Sequence, residues 1–142
     1  MNDTHFQGYK MSLKFNASHS MTDEDNMHAH SFILKLFIKK ETDTFVEFSE
    51  YEKIIKEYIE KYRGKYLNYF FDDIPTLENL CIHFFEDIEE ILSDTNDFTL
   101  ISVELGDSPI KSVKVGNEII ASRANLFIDS NIFDKWKDFY YV

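Results

Sequence analysis

Three of the five histidines in this chain fall where two predicted strands would bring them together. His19 ends one stretch of alternating apolar and polar residues, and His28 and His30 begin the next. Alternate residues of a strand project from the same face, so His28 and His30 are expected to point the same way. If the two strands pair as a hairpin, His19 joins them on that face. Three imidazoles that leave a fourth position open are typical of a catalytic zinc site.

The spacing of these histidines leaves a simpler interpretation open, because a lone H-x-H pattern also occurs on ordinary protein surfaces.

The length and the charge of the chain limit the partners that it is expected to bind. The chain has 142 residues, enough for one domain with a core, and a formal net charge of −11. Such an acidic chain is a poor partner for nucleic acid or for an anionic membrane surface.

The cysteine content and the hydropathy indicate a cytoplasmic protein. Cys81 is the only cysteine, so no internal disulfide is possible and a reducing compartment is favoured. There is no apolar run long enough to span a bilayer, and the first ten residues predict no signal peptide. We therefore expect a cytoplasmic location.

The strands that would position the histidines follow from hydrophobic periodicity. Residues 9–19 alternate apolar with polar, and residues 28–39 do so less strictly, so both predict strands. Two further strands are predicted at Phe98–Leu105 and, after a GDSP turn, at roughly Ile110–Val115. Strands therefore occur in pairs, one pair before residue 40 and one after residue 97.

Two helices are predicted between these strand pairs. Ser49 and Glu52 form an S-x-x-E capping box before apolar residues at helical spacing, and Gly64 is a natural stop. Thr76 is the predicted N-cap of a second helix, whose broad apolar face continues to Leu92. The order ββααββ indicates an α+β fold, an antiparallel sheet with two helices packed on one face.

A C-terminal segment follows the last predicted strand, from about residue 117 to residue 142. We expect one domain over residues 1–142, with this segment as an addition. Ser130 could cap a short helix in it. The apolar side of that helix would consist of Ile132, Phe133, Trp136 and Phe139.

Several segments resemble the 6-pyruvoyltetrahydropterin synthase and 6-carboxytetrahydropterin synthase family. FNASH followed by HAHSF is similar to the family's F-x-A-x-H and H-G-H segments, with Ala29 in place of the usual glycine. VEFSEYEKII, KYLN and PTLENL resemble the segments that open its first helix, follow that helix and open the second helix. VEL at Val103–Leu105 resembles the segment with its pterin-anchoring glutamate. The resemblance covers about residues 9–116.

The resemblance implies a fold, a metal and a ligand. The family has the tunnelling fold, in which three subunits close their sheets into a barrel and two trimers stack into a homohexamer. It implies a zinc ion on the three histidines and a pterin held by the Glu104 carboxylate. Thr76 and Glu78 would flank the same pocket, although a helix cap and a first-turn acid explain these two residues equally well.

The implied activity is that of a zinc-dependent carbon–oxygen lyase acting on dihydroneopterin triphosphate or a related pterin, in folate or queuosine biosynthesis. Glu24 stands where the family's usual catalytic cysteine lies. A subgroup has glutamate there and cleaves the substrate side chain to give 6-hydroxymethyldihydropterin. A carboxylate can act as a general base, although the acidic loop around Glu24 also suits a solvated side chain.

A second departure favours a different function. Arg63 and Gly64 occupy the positions of an Asp–His pair in the family. The histidine that would shuttle protons is therefore missing. The alternative is a divergent, catalytically inactive paralogue that still binds zinc and a pterin or another heterocycle.

Overall fold

Two helices pack on one face of an antiparallel sheet. The computed structural model describes residues 7–22, 26–42 and 45–116. Within these ranges the sheet has four strands in the order β1-β2-β3-β4, and every neighbouring pair is antiparallel. The elements are β1 (Gly8–His19), β2 (His28–Lys40), α1 (Ser49–Glu60), a short 3-10 helix (Leu67–Tyr69), α2 (Leu77–Leu92), β3 (Phe98–Ser108) and β4 (Lys111–Gly116). The predicted α+β class and element order are confirmed.

Aromatic packing between the sheet and α2 defines which face of the sheet is covered. Phe15 of β1 lies opposite Phe32 of β2, with ring centroids 5.3 Å apart, and Phe84 of α2 meets Phe15 edge-on at 6.0 Å. All three side chains are fully buried. Burial of side chains of this size stabilises the fold by roughly 1.5–3 kcal/mol each. The odd positions of β1 and the even positions of β2 therefore face the helices, as their alternation predicts.

A β-bulge in β3 separates residues that the sequence pattern assigned to one face. Leu100 and Ser102 pair with consecutive residues of β2, which leaves Ile101 as the extra residue. Leu100 consequently packs in the core, whereas Ser102 and Glu104 lie on the face opposite the helices. An uninterrupted strand would place the even positions Leu100, Ser102 and Glu104 on one face, and the inserted residue breaks that series. We call the face opposite the helices the second face.

The strand β3 is also longer than expected. The GDSP segment was expected to form the turn, yet pairing continues as far as Ser108, which faces Lys111. The turn lies instead at Pro109 and Ile110. Gly106 permits this close pairing, since a Cβ there would lie 3.0 Å from the Lys111 carbonyl oxygen.

The two helices begin in different ways. Thr76 is the N-cap of α2, as predicted, and its Oγ1 accepts a hydrogen bond of 3.1 Å from the Asn79 N–H. The helix α1 starts at Ser49 itself, its N-cap residue is Phe48, and no side chain caps it. The predicted capping box at Ser49 is therefore wrong. Phe48 is buried and stacks on Tyr9 at 4.1 Å, so core packing determines where the chain enters α1.

Some predictions lie outside the described residues. These are the position of Glu24 and the C-terminal helix after Ser130. No helix in the described part of the chain combines the length and apolarity needed to cross a membrane.

The different helix starts lead to a stability prediction. Thr76→Ala should lower the free energy of unfolding by about 1 kcal/mol, because the Asn79 N–H loses its acceptor. Ser49→Ala is the matched control and should change it by less than about 0.5 kcal/mol. Urea unfolding followed by circular dichroism measures both. Equal losses in the two variants would contradict this assignment of the caps.

Candidate functional site

The three histidines lie together at one end of the β1–β2 pair. His19 lies opposite His28, and His30 lies opposite Ala17. The ring centroids of His19 and His30 are 5.0 Å apart, and those of His28 and His30 are 6.3 Å apart. His19 is only 4% exposed, His30 is half-buried and His28 is exposed. The sheet thus gathers the predicted residues on its helix-covered face.

A backbone carbonyl orients the His19 ring. The His19 Nδ1 lies 2.7 Å from the carbonyl oxygen of Pro75, two residues before α2. Because a carbonyl can only accept, this contact requires the proton on Nδ1, which leaves the Nε2 lone pair available in the neutral ring. Histidines that bind metals are usually oriented by a bond of this kind.

The residue after His19 is held by the KYLN segment. The Asn68 side chain donates to the Ser20 carbonyl and accepts from the Ser20 N–H, both at 2.9 Å. The hydroxyls of Ser20 and Tyr66 are 2.5 Å apart, and Ser20 is fully buried. The end of β1, and with it His19, is therefore fixed in place. Sequence reasoning gave Tyr66 and Asn68 no role, and their membership of KYLN is the one signal that pointed to them.

The electrostatic surroundings of His30 favour the neutral imidazole. Burial, and then the neighbouring His19, lower the pKa of His30, whereas Asp107 acts in the opposite direction. The neutral imidazole is the form that binds a metal ion. The donor chemistry of the site therefore fits zinc.

The distance between ring centroids suits a zinc site for the His19–His30 pair, but it is too long for the His28–His30 pair. Zinc–nitrogen bonds of ~2.0–2.1 Å in a tetrahedral arrangement keep imidazole centroids about 5 Å apart. The His19–His30 pair matches this value, and the His28–His30 pair exceeds it. Accordingly, no three His, Cys, Asp or Glu side chains within residues 7–22, 26–42 and 45–116 form a metal-binding group as they stand. The exposed His28 ring would have to turn inward to complete one.

Glu104 lies on the second face of the sheet. It pairs with Lys35 on β2 and Lys114 on β4, and its Oε1 accepts a hydrogen bond of 3.1 Å from the Ser112 hydroxyl. A cavity of about 80 Å³ adjoins Glu104, Lys35 and Ser112, together with Ile33. Ligand pockets usually measure roughly 300–1,000 Å³. The described residues of one chain therefore form only part of a pterin pocket around Glu104.

Thr76 and Glu78 lie at the start of α2, on the helix-covered side of the sheet, whereas Glu104 lies on the second face. Thr76 follows Pro75, whose carbonyl orients His19, and its hydroxyl caps α2. Glu78 is exposed in the first turn of α2, where the helix dipole favours a carboxylate. The predicted pocket is thus divided between the two faces of the sheet.

Arg63 and Gly64 brace the edge of β1. The Gly64 N–H donates to the Asn16 carbonyl at 2.6 Å, and an Arg63 guanidinium nitrogen donates to the Lys14 carbonyl at 2.9 Å. Arg63 also pairs with the Glu60 carboxylate at 2.8 Å. Gly64 has φ +71°, a backbone conformation that favours glycine over histidine. This segment therefore has a structural role and brings no proton-transferring side chain to the site.

His83 and Cys81 are of types that can take part in chemistry, but the contacts of each indicate a structural role. The His83 Nε2 lies 2.8 Å from Asp73 Oδ1, and the His83 ring stacks on Phe71 at 4.5 Å. Cys81 is fully buried, and its Sγ donates to the Val103 carbonyl at 3.4 Å. Burial raises the pKa of the Cys81 thiol to about 12, so Cys81 is not a nucleophile at neutral pH.

Comparison with known proteins identifies the family. The sequence profile of the family described as 6-pyruvoyl tetrahydropterin synthase matches residues 9–118. This chain belongs to that family. An Archaeoglobus fulgidus protein, provisionally named 6-carboxy-5,6,7,8-tetrahydropterin synthase, is 29% identical over 86 residues, which are 56% of this chain and 74% of the relative.

Solved structures agree on the fold. The Caenorhabditis elegans 6-pyruvoyl tetrahydropterin synthase is similar with a TM-score of 0.61 at 16% identity, covering 80% of this chain and 100% of that one. A Plasmodium vivax 6-pyruvoyltetrahydropterin synthase, solved as a variant in which a glutamate named as a catalytic residue is replaced by alanine, gives 0.55 at 10% identity. That match covers 76% of this chain and 96% of the other.

The two hydrogen bonds between the Asn68 side chain and the Ser20 backbone, which we call the Asn68 clamp, lead to a stability prediction. Asn68→Ala removes both side-chain bonds to Ser20 and should lower the free energy of unfolding by about 1–3 kcal/mol, since the buried Ser20 backbone loses its partners. Asn16→Ala is the matched control, because Asn16 accepts one exposed bond from Ser31. It should cost less than about 0.5 kcal/mol. Chemical unfolding measures both, and an Asn68→Ala loss no larger than that of the control would argue against the clamp.

Proposed function

We propose that this protein is a zinc-dependent, pterin-processing lyase that acts on dihydroneopterin triphosphate or a related pterin. The observation that carries the proposal is the gathering of His19, His28 and His30 on one sheet face, with His19 oriented through its Nδ1. Family membership supports the substrate class, since the Archaeoglobus and Caenorhabditis relatives are named as tetrahydropterin synthases.

The three histidines would hold zinc through neutral imidazole nitrogens. Zinc bound there supplies a Lewis acid that binds the hydroxyls of the pterin side chain and acidifies them and the neighbouring carbons. His19 keeps its orientation through the Pro75 carbonyl, and Asn68 holds the strand end that bears His19. The first ligand is therefore preorganised, while His28 has room to close on the ion.

Glu104 is the proposed anchor for the pterin ring. Its two carboxylate oxygens match two parallel N–H donors on the guanidine-like edge of a pterin. Because Glu104 and the histidines lie on opposite faces of the sheet, Glu104 of one chain would have to act with the histidines of another. We therefore propose a homotrimer or homohexamer, in which neighbouring chains also cover the open sheet edges.

Glu24 is the proposed general base, and Thr76 and Glu78 are proposed pterin contacts. Glu24 stands in the sequence where the family's usual catalytic cysteine lies. The catalytic glutamate named for the Plasmodium vivax enzyme supports a carboxylate in such a role. A carboxylate can accept a proton from the substrate when its pKa suits the reaction.

A second candidate is a catalytically inactive paralogue that binds zinc and a pterin or another heterocycle. It is favoured by the structural role of Arg63 and Gly64, which leaves the family's Asp–His positions without a proton carrier.

One assay separates the two candidates. Zinc-loaded protein is incubated with dihydroneopterin triphosphate, and the products are identified by mass spectrometry. The enzyme proposal predicts conversion, with a loss of about 100-fold or more in Glu24→Gln because the base is removed. Binding of the substrate without any product would favour the inactive paralogue.

The metal site gives a direct prediction. The purified protein should hold about one zinc ion per chain, and His28→Ala should abolish tight binding by removing one of three ligands. His83→Ala is the control, because His83 pairs with Asp73 at the surface, and its zinc content should equal that of the wild type. Elemental analysis after zinc loading at neutral pH measures this. A protein without zinc would remove the proposal.

The pterin anchor can be tested independently of the metal. Glu104→Gln turns one acceptor into a donor that faces a ligand N–H, so neopterin should bind on the order of tenfold to a hundredfold more weakly. Calorimetry measures the affinity, and the zinc content should stay the same. Glu89→Gln, the same change on the exposed side of α2, is the matched control and should leave the affinity unchanged. Equal affinity of Glu104→Gln and wild type would mean that Glu104 is not the anchor.

A further inference from the structure

The Pro75 carbonyl that orients His19 belongs to a tight turn just before α2. The Thr76 N–H donates to the Ile74 carbonyl at 2.8 Å, and this bond closes a three-residue γ-turn with Pro75 at its centre. The fixed φ of proline suits the inverse form of that turn. The turn does not use the Pro75 carbonyl, which instead accepts the bond of 2.7 Å from the His19 Nδ1. The direction of this carbonyl therefore depends on how the turn is held.

The side chain of Asn79 ties this turn to α2. Its Nδ2 donates to the Ile74 carbonyl at 2.8 Å, while its backbone N–H donates to the Thr76 hydroxyl at 3.1 Å. The Ile74 carbonyl thus accepts one hydrogen bond from Thr76 and another from Asn79. The Ile74 side chain is 54% exposed, so apolar packing contributes little to holding this residue. Hydrogen bonds to its carbonyl are therefore the main restraint on the start of the turn.

We propose that Asn79 is a positioning residue for His19, which keeps the Nε2 lone pair available for a metal ion by fixing the direction of the Pro75 carbonyl. Packing of the buried Pro75 ring fixes where the turn lies, but it leaves the rotation that aims the carbonyl to be set by hydrogen bonds. The Thr76 bond to the Ile74 carbonyl sets this rotation, and Asn79 holds the same carbonyl against the first turn of α2. A ligand on β1 is thereby oriented by a helix and not by an unsupported loop.

The consequence for His19 is a choice between two neutral tautomers. A neutral imidazole carries one proton, and the hydrogen bond made by one ring nitrogen decides which nitrogen is left to bind a metal. With the Pro75 carbonyl fixed, the proton stays on Nδ1. If that carbonyl turns away, the tautomer protonated on Nε2 becomes populated, and this form has no lone pair on Nε2 for zinc. The apparent affinity for the metal falls in proportion to the competent fraction.

Histidine NMR and zinc titration together test this inference, which rests on the proposed zinc site. At about pH 8, where an ordinary imidazole is neutral, nitrogen-15 NMR of the metal-free protein should show His19 as the Nδ1–H tautomer. Loss of the signal in His19→Gln assigns it. Asn79→Ala keeps the backbone N–H that Thr76 accepts but removes the bond to Ile74. It should raise the population of the Nε2–H tautomer and, in competition with a chelator, weaken zinc binding by about tenfold, the lower end of the effects of outer-shell partners.

Two further variants separate positioning from stability. Tyr58→Phe is the matched control, because it removes the hydrogen bond from the Tyr58 hydroxyl to Asp87, about 12 Å along α2 from Asn79. It should lower the free energy of unfolding and leave the His19 tautomer and the zinc affinity unchanged. In Asn79→Asp the carboxylate cannot donate to the Ile74 carbonyl, although it suits the first turn of a helix. This variant should therefore shift the tautomer even if Asn79→Ala fails to fold.

Three results would overturn the inference. The first is a His19 tautomer that stays the same in both Asn79 variants. The second is unchanged zinc affinity in a folded Asn79→Ala whose tautomer has shifted. The third is an equal change in Tyr58→Phe, which would make the change a general effect of lower stability. A wild type that binds no zinc would contradict the proposed function instead, and the tautomer would then decide by itself whether Asn79 positions His19.

Discussion

The antiparallel register between β1 and β2 is the constraint on which the rest of the structure depends. The same register that opposes Phe15 to Phe32 in the core opposes His19 to His28 at the strand ends. A slip of one residue would turn every side chain of a strand to the other face. It would expose Phe15 or Phe32 to water, and it would also move His19 away from the face that bears His28 and His30. Core packing therefore specifies which strand positions meet at the candidate site, and the Pro75 carbonyl and the Asn68 side chain then hold His19 and the strand end that bears it.

This register also places the candidate metal ligands and the candidate pterin anchor on different faces of the sheet. The helix-covered face ends in the histidines, next to the N-terminus of α2, where the Pro75 carbonyl orients His19. The second face carries Glu104. The proposed zinc and pterin functions are thus separated by the thickness of one sheet. An assembly of several chains is the simplest arrangement that would reunite them.

Much of this architecture could be predicted from the sequence, because burial on one face imposes a periodic pattern. The parity of apolar positions placed His19, His28 and His30 on one face, and the cap at Thr76 followed from side-chain chemistry. The bulge at Ile101 falls where the apolar positions of β3 change from even to odd numbers, a change that a single fixed period of two overlooks. The start of α1 was also missed, because the packing of Phe48 outweighs the capping preference of serine.

The contacts that hold His19 were beyond prediction for a different reason. Its partner is the backbone carbonyl of Pro75, and a carbonyl is present at every residue, so no residue type signals it. The Asn68 clamp on Ser20 joins positions 48 residues apart and depends on the tertiary fold. Sequence patterns can therefore identify the candidate ligands, while the groups that orient them become visible only in the folded chain.

The central claim is that the three imidazoles on one sheet face form an open zinc site. X-ray absorption spectroscopy of the zinc-loaded protein tests it most directly, because it reads the ligand atoms and their distances. The account predicts three imidazole nitrogens at ~2.0–2.1 Å and one oxygen from solvent. A coordination shell made of carboxylate oxygens, or one with fewer than three imidazoles, would contradict it.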